Sequence, residues 1–268
     1  LAAMLRSGGT LSLNGVVVYI AYNFDKFLLG RFWGADALGI YSRAYQLVNI
    51  PTQALNGGVG TVLFSALSRV QSDPVRIKSY FLKGYTLLVS LTVPITIFSA
   101  ILAEDIIAVF LGPKWGAAVA MFRLLTPTIL AFSIINPLFW FLLAVGKQMR
   151  SLYIACVIAP IVIVAYVIGL PFGPNGVALA FSVAMTVWLV PHVIWCLHGT
   201  ILSPMDLLFA VWRPFAAGLL STVVAALFQT HLIQIDSAII RLMLGGSAMG
   251  MVYLAVLLFG LGQKDLFL

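Results

Sequence analysis

Charged side chains are scarce in this sequence. Asp, Glu, Lys and Arg together make up 9% of the 268 residues, whereas a soluble domain carries about 25%. Because so few charges cannot cover a surface that faces water, the composition excludes a soluble protein. Hydrophobic residues reach 62%, and they fall into runs of about 20 residues, the length at which a helix crosses about 30 Å of hydrocarbon. Since strands of alternating polarity are also missing, the sequence predicts an all-α integral membrane protein.

The sequence also lacks the motifs on which membrane enzymes and pumps depend. It contains no glycine-rich phosphate loop of the Walker type, no His/Cys set with metal-ligand spacing and no G-x-S-x-G motif. We therefore predict neither an enzymatic activity nor a cofactor or metal. Cys156 and Cys196 lie inside apolar runs and are expected to be buried free thiols. His192, His198 and His231 lie at the ends of apolar runs or in loops, and we interpret them as residues of the membrane interface.

Hydropathy and length indicate about eight transmembrane segments. They cover about residues 8–33, 37–69, 75–103, 114–145, 151–169, 176–198, 207–228 and 238–260. Residues 104–112, between the third and fourth segments, are expected to form a short interfacial helix. Because the chain opens with LAAMLRSGGT, without an initiator Met or a secretory signal, we expect it to be a fragment that an N-terminal portion precedes.

The basic residues concentrate in connections on one side of these segments. That side holds Arg6, Arg69, Arg76, Lys78, Lys83, Lys147, Arg150, Arg213 and Lys264 against Asp73, and the other side holds Glu104, Asp105 and, near Arg241, Asp236. Lys and Arg accumulate in cytoplasmic loops and near lipid headgroups. The charge pattern therefore predicts that both ends of the chain are cytoplasmic, and the formal net charge of +7 does not indicate nucleic-acid binding.

The second segment carries a row of polar residues. Gln46, Asn49, Gln53, Asn56 and Gly60 follow each other at spacings of three, four, three and four residues, which places them on one face of a helix. Such a row is typical of a helix that lines a hydrated cavity, although a single amide in a membrane helix more often bonds to a neighbouring helix.

Polar residues on two other segments complete the set of candidate site residues. Asn14 and Asp25 are eleven residues apart, about three helical turns, so they share a face of the first segment. Asp25 and Lys26 form either a local ion pair or part of a functional site, because burying ionisable groups in a membrane is costly. Arg123 and Asn136 lie on the fourth segment. For Asn14 and Asn136, a hydrogen bond between helices is the simpler explanation.

The stretch from Asn23 to Asp73 carries a recognisable pattern, N-x-D-K-x-L-L-G-R-x-x-G-x-x-x-L-G-x-Y-S-x-A-Y, followed by Pro51 and V-L-F-S-A-L-S-R-V-Q-S-D. The pattern resembles the C-terminal half of the Wzx-like polysaccharide flippases, of the colanic-acid type, in the multidrug/oligosaccharidyl-lipid/polysaccharide exporter superfamily. The matching residues are Asn23, Asp25, Lys26, Leu29, Gly30, Arg31, Gly34, Leu38, Gly39, Tyr41, Ala44, Tyr45, Pro51, Leu63, Phe64, Leu67 and Gln71. Further similarities extend the resemblance over about residues 8–200, but Ser65 stands where the family pattern has a proline.

The resemblance implies a fold and a function. The fold is that of a MATE-like transporter with two six-helix lobes, of which residues 1–200 would form the C-terminal lobe and residues 201–268 an additional transmembrane pair. The function is to flip an undecaprenyl-diphosphate-linked oligosaccharide across the bacterial inner membrane by alternating access, for exopolysaccharide or lipopolysaccharide biosynthesis. The implied partners are this lipid-linked glycan, membrane lipids and the polysaccharide polymerase machinery.

The resemblance also implies roles for individual residues. Lys26, Arg43 and Arg123 are expected to bind the diphosphate through charge-assisted hydrogen bonds. The side chains expected to line the cavity and contact the sugar are Asn14, Gln46, Asn49, Gln53 and Asn56. Asp25 is expected to hold a basic residue in place or to respond to a coupling ion.

Several other functions stay open at this point. A MATE-like cation or drug antiporter would need more intramembrane acid than Asp25 supplies. A flippase of the peptidoglycan precursor would differ in cargo but not in mechanism. A polymerase or ligase of the same pathway would need a large periplasmic loop, and a membrane scaffold would transport nothing.

Overall fold

The structure is a computed structural model that describes residues 2–70, 73–232 and 235–260. The described chain forms α1 (Ala2–Phe32), α2 (Gly34–Arg69), α3 (Pro74–Ile101), α4 (Ala103–Phe110), α5 (Ala118–Leu125), α6 (Pro127–Ala144), α7 (Gln148–Gly169), α8 (Gly173–Leu197), α9 (Pro204–Leu232) and α10 (Ala238–Ala255). Short 3₁₀ turns lie at Pro113–Trp115 and Leu170–Phe172, and α10 continues as one π-helical turn. The all-α prediction is confirmed.

Some of the predictions concern residues that the structure does not describe. Gln71 and Lys264 lie outside the described ranges, and so do the side chains of Arg6, Phe64 and His231. The expectations that rest on these groups therefore stay predictions.

Each predicted segment corresponds to a helix, but proline and glycine change the boundaries. The predicted fourth segment is divided into a 3₁₀ turn, α5 and α6, because Pro127 has no N–H to donate and is suited to the first turn of a new helix. The predicted interfacial helix is α4, which ends just before Gly112 at φ +96°. At the start of α3, the Asp73 carboxylate accepts hydrogen bonds from the backbone N–H groups of Val75 and Arg76, both at 3.1 Å, as an N-cap residue does.

The prediction of eight transmembrane helices is confirmed only in part. Within the described residues, five stretches are long and apolar enough to cross a membrane: Pro74–Ile101, Ala118–Ala144, Gln148–Leu197, Pro204–Val223 and Ala238–Gly260. The third of them, 50 residues long, contains both α7 and α8. The first two helices are not among the five although α1 has 31 residues and α2 has 36, because both carry the polar residues singled out in the sequence.

The α7–α8 hairpin depends on two glycines. A Cβ atom added to Gly169 would lie 2.4 Å from the backbone oxygen of Gly176, and one added to Gly176 would lie 2.4 Å from that of Gly169. Any side chain at either position would therefore push the two backbones apart. This close approach holds α7 and α8 side by side as a hairpin.

The bundle has two ends, which we name after residues at each. At the Trp33 end, the indole N–H of Trp33 donates to the carbonyl of Leu170 at 2.9 Å, so the α1–α2 turn meets the α7–α8 turn. At the opposite Arg150 end, the guanidinium of Arg150 donates to backbone carbonyls at the C-terminus of α8, and Lys78 pairs with Asp206 at 2.7 Å. These basic side chains thus fasten helix ends to each other.

The helices form one hydrophobic core in which aromatic side chains dominate. The largest fully buried ones are Tyr41, Tyr85, Tyr166, Phe81, Phe122, Phe141 and Phe181. Helix α1 packs on α7, α2 packs on α6, and α9 packs on α3, with α10 against α9 and α4. The outer faces of α8 and α9 expose large apolar side chains such as Val187 and Phe209, as expected of surfaces that contact lipid.

Candidate substrate-binding face

Helix α2 has one buried face and one open polar face. Tyr41, Val48 and Leu67 of the buried face are at most 2% exposed. On the opposite side Gln46 and Gln53 are exposed, whereas Asn49 and Asn56 are half-buried. The predicted row of polar residues therefore exists as a surface of the folded chain, and we call these four residues the amide row.

The two ends of the amide row differ. At the beginning, the guanidinium of exposed Arg43 donates to the side-chain oxygen of Gln46 at 3.1 Å. At the other end Gly60 is buried, and a Cβ there would lie 3.0 Å from the indole nitrogen of Trp140 on α6. The open face consequently stops at Asn56, whose amide donates to the backbone oxygen of Thr52 at 2.7 Å.

Lys26 of α1 lies close to α2. Its ammonium group donates to the side-chain oxygen of Asn23 at 2.6 Å and lies 5.1 Å from the centre of the Tyr45 ring. An ammonium group over an aromatic face is attracted by the negative charge of the ring face. Lys26 is half-buried, and Asn23 and the Tyr45 ring therefore hold its ammonium group in place.

Asp25 is oriented differently from its neighbour. The carboxylate is 0% exposed and accepts a hydrogen bond from the Tyr41 hydroxyl at 2.8 Å. Among the ion pairs of the described residues there is none between the side chains of Asp25 and Lys26. The local ion pair that the sequence left open is therefore not formed, and Asp25 instead links α1 to α2.

Aromatic rings surround Asp25 and Lys26. Tyr22 contacts Phe132 and Phe181 with ring centres 5.4 and 6.0 Å apart, and Tyr166 lies 5.3 Å from Phe181. Tyr45 stacks on Tyr41 at 6.1 Å. Since these rings come from α1, α2, α6, α7 and α8, they fix the positions of the helices that carry the polar residues.

Arg123, the third expected diphosphate ligand, is engaged elsewhere. Its guanidinium donates to the backbone oxygen of Ala100 at 3.1 Å and to the carboxylate of Glu104 at 3.3 Å. Arg123 thus ties α5 to the junction of α3 and α4 at the Trp33 end. Arg43 thus lies at the start of the amide row on α2 and Lys26 lies on the neighbouring α1, over the Tyr45 ring, whereas Arg123 is paired with an acid on α4.

Asn14 and Asn136 do not belong to the amide row. Both line a cavity of about 210 Å³ between α1, α6, α7 and α8, together with His192. His192 lies inside α8 and is only 6% exposed, so its interpretation as an interface residue was wrong. The apolar residues around position 192 gave no sign of this, because a histidine near the end of a long segment is ordinary at the membrane surface.

Cys156 and Cys196 are both free, as predicted. Cys196 is buried in the core, but Cys156 is exposed on the outer face of α7, so the expectation of burial was wrong for it. An apolar run alone does not distinguish a side chain that faces lipid from one that faces the core.

Known proteins share both sequence and fold with this chain. The family described as "Polysaccharide biosynthesis protein" matches residues 1–120. The lipopolysaccharide biosynthesis protein WzxC of Escherichia coli K12 is 25% identical over 226 residues, which cover 84% of this chain and 46% of WzxC. The chain is thus similar to membrane proteins of polysaccharide biosynthesis, over its first 120 residues by the family match and over 226 residues to WzxC.

A second relative extends the Wzx/MOP similarity beyond one organism. The teichuronic acid biosynthesis protein TuaB of Bacillus subtilis is 34% identical over 131 residues, which cover 49% of this chain and 27% of TuaB. The chain thus spans less than half the length of WzxC and TuaB.

Solved structures show which fold this chain adopts. The lipid II flippase MurJ, in an inward closed conformation, superposes with a TM-score of 0.76 at 18% identity, over 92% of this chain and 52% of MurJ. A MATE transporter in complex with MaD3S superposes with a TM-score of 0.62, over 96% of this chain and 66% of that one. The fold is therefore MurJ/MATE-like, and the chain corresponds to part of each of these transporters.

Proposed function

We propose that the chain is the second lobe of a two-lobe flippase that moves an undecaprenyl-diphosphate-linked oligosaccharide across the bacterial inner membrane, with both ends of the chain cytoplasmic. The observation that carries the proposal is the open amide row of α2 beside the half-buried Lys26. Residues 201–268 would add a helix pair outside the lobe.

The composition of α2 supports a transport cavity. A helix whose open face carries two exposed glutamines and an arginine cannot turn that face to hydrocarbon without a large desolvation cost. Water in a cavity between two lobes removes this cost, and transporters with internal repeats place their substrate sites between the repeats. The chain covers 52% of MurJ, which leaves room for such an opposing lobe.

The groups on this face match the cargo in chemistry. A diphosphate takes charge-assisted hydrogen bonds from ammonium and guanidinium groups, which Lys26 and Arg43 supply. Sugar hydroxyls both donate and accept hydrogen bonds, as side-chain amides do, and the amide row offers four of them. The cations lie toward the Trp33 end of α1 and α2, and the row continues from Arg43 toward the Arg150 end.

Two expected ligands take modified roles in the proposal. Arg123 is paired with Glu104, so it would reach a diphosphate only after this pair opens. Asn14 lies in the cavity with His192 rather than on the open face of α2, so it would contact sugar only if that cavity admits part of the glycan.

Removing the two cations tests the diphosphate role. Lys26→Gln combined with Arg43→Gln, introduced into the full-length protein in cells that lack their own copy, is expected to lower surface polysaccharide by tenfold or more. The reason is that charge-assisted hydrogen bonds contribute about 1.5–3 kcal/mol each. Immunoblots must show equal protein in the membrane, and lipid-linked oligosaccharide should accumulate inside the cell.

Arg31→Gln is the matched control, because Arg31 is exposed near the end of α1 and its loss should leave export unchanged. Wild-type export by the double variant would contradict the diphosphate role of both residues.

One observation favours a second candidate, a cation antiporter. Asp25 is a fully buried carboxylate, the type of group that binds a cation inside a membrane. Proteoliposomes that contain the full-length protein should then take up a cationic dye, and Asp25→Asn should stop the uptake. Asp25-dependent dye uptake without glycan flipping would replace the flippase proposal.

A further inference from the structure

The cavity that contains His192 lies between α1, α6, α7 and α8 and has a volume of about 210 Å³. Tyr22 of α1 is one of its lining residues and touches Phe132 of α6, with ring centres 5.4 Å apart. Asn14 lines the cavity from α1 and Asn136 lines it from α6. It is separate from the amide row, whose residues do not line it.

The protonation of His192 follows from one hydrogen bond. The indole N–H of Trp188 donates to Nδ1 of His192 at 3.1 Å. An indole nitrogen can only donate, so Nδ1 is the bare acceptor and the ring proton lies on Nε2. This Nε2–H group is buried and has no hydrogen-bond partner among the described residues.

An unpartnered buried donor is costly. Leaving such a group without an acceptor costs about 1–3 kcal/mol, and most buried polar groups in folded proteins therefore have a partner from protein or water. The amides of Asn14 and Asn136 border the same cavity, and neither is hydrogen-bonded to another described residue. His192 and the two amides thus line a common space, and a guest that accepts and donates hydrogen bonds would pair with them.

The lining also limits the charge of the guest. None of the described residues that line the cavity is Asp, Glu, Lys or Arg. A metal or alkali cation would need carboxylate or several carbonyl oxygens, and a phosphate would need cationic donors. Neutral hydroxyl oxygen fits instead, because it accepts from His192 Nε2–H and exchanges hydrogen bonds with both amides.

We propose that this cavity is a binding site for neutral hydroxyl groups, held by His192, Asn14 and Asn136. The hydroxyl oxygen comes from a cluster of water molecules or from a sugar. The cavity has room for several water molecules, each of which takes up about 30 Å³ in the liquid. Where the guest is a sugar, the site rests on the proposed function and adds a second sugar contact to it.

Cys196 provides the test, because its thiol also lines the cavity while the other cysteine of the chain, Cys156, lies on the outer face. In the full-length protein, in membranes, Cys156 and any cysteine outside this chain are replaced by alanine. The rate at which a small neutral methanethiosulfonate modifies Cys196 is then measured by mass spectrometry. Such reagents react with thiolates in contact with water, so a hydrated cavity predicts modification of the folded protein.

Three variants identify the group that holds the guest. His192→Gln retains a donor and is expected to leave the rate within about twofold, whereas His192→Phe removes the donor and should slow it about tenfold or more, which corresponds to about 1.4 kcal/mol. His198→Phe is the control, because His198 is exposed. Modification only after denaturation, or an unchanged rate in His192→Phe, would overturn the proposal.

A second experiment distinguishes water from a sugar as the source of the hydroxyl group. Glucose at increasing concentration is added before the reagent, with mannitol as a polyol of similar size. Protection that saturates identifies a sugar as a guest, and a rate independent of both shows that water alone occupies the site. Because this assay does not measure transport, its failure leaves the flippase proposal standing, and failure of the export assay leaves the cavity result standing.

Discussion

The helix pairs α1–α2 and α9–α10 differ in what their surfaces contact. Pro204–Val223 of α9 and Ala238–Gly260, which contains α10, are apolar enough to cross a membrane. Only 28% and 17% of the residues in their most apolar 18-residue stretches are buried within the chain. Helices α1 and α2 are long enough to cross a membrane, but their mean hydropathy is too low for either to count as a candidate membrane span. A helix exposed to lipid has to be apolar around most of its circumference, so the low hydropathy of α1 and α2 indicates that part of their surface faces something other than lipid.

The two pairs are also attached to the bundle in different ways. Helix α1 is joined to α2 by the buried Asp25–Tyr41 hydrogen bond. Helices α9 and α10 make close apolar contacts at glycines, with Gly218 against Val93 and Gly246 against Phe98, and α10 adds the Tyr253–Ser90 hydrogen bond. The comparison predicts that substitutions in α1–α2 mainly change transport, whereas substitutions in α9–α10 mainly change stability.

The largest effect on transport is expected at Asp25. Asp25→Leu removes the acceptor of the buried Tyr41 hydroxyl, which costs about 1–3 kcal/mol, and it removes the buried carboxyl group as well. Export of surface polysaccharide should be lost in the full-length protein. Asp25→Asn keeps an acceptor oxygen and should retain part of the activity.

Asp36→Asn is the matched control for this change, because Asp36 is exposed in the first turn of α2. Normal export by Asp25→Leu at wild-type protein level would show that the Asp25–Tyr41 link is dispensable, and the proposed contrast between the helix pairs would lose its main support.

The next largest effect is expected on the amide row. Gln46→Leu combined with Gln53→Leu makes the open face of α2 apolar and removes two of the proposed sugar-binding groups, so export should fall several-fold. Both side chains are exposed, so the thermal midpoint of the purified protein should change little. Ser65→Leu, an exposed position of α2 outside the row, should export normally, and equal losses in both variants would argue against a specific role of the row.

A stability effect of intermediate size is expected at Gly218. A Cβ there would lie 2.5 Å from Cγ1 of Val93, so Gly218→Val should separate α9 from α3 and cost about 1–3 kcal/mol. Thermal unfolding in detergent measures the change. Gly250→Val is the control on the same helix pair, since no atom lies within 4 Å of a Cβ at Gly250. The close contact is unimportant if both variants unfold at the wild-type temperature.

The smallest effect is expected from the ion pair between Arg241 of α10 and Asp105 of α4. The two groups are 2.6 Å apart, but Arg241 is partly exposed, so Arg241→Met should cost only about 1 kcal/mol. Asp105→Leu in the same chain should recover most of this loss, since it removes the unpaired carboxylate. A double-mutant cycle of thermal midpoints measures the coupling, and additive losses would show that the pair does not attach α10.

The sequence predicts the helices well because hydropathy and periodicity are local properties. The amide row follows from spacings of three and four residues, and the structure places Gln46, Asn49, Gln53 and Asn56 on one accessible side of α2. The break before Pro127 was missed, although it rests on the absent N–H of proline. Local rules therefore locate helices and faces but not every boundary.

Tertiary relations could not be predicted in the same way. The pairing of Arg123 with Glu104 joins residues 19 positions apart on separate helices, and nothing in the spacing specifies it. His192 shares a cavity with Asn14 and Asn136 from two other helices. A charge or an imidazole in an apolar run indicates that a partner is needed, but only the packed structure shows which partner it has.

The contact of Trp33 with the α7–α8 turn has a mechanical consequence. Its indole donates to Leu170 and its ring lies against Gly173, so four helix ends are fastened together in one corner of the bundle. At the other end of α1, the contact to α7 is between the hydroxyl of Thr10 and the thioether sulfur of Met149, 3.2 Å apart, and sulfur is a weak acceptor. The α1–α2 turn is thus joined to the α7–α8 turn by a strong hydrogen bond at the Trp33 end, whereas the α1–α7 hydrogen bond at the opposite end is a weak one to sulfur.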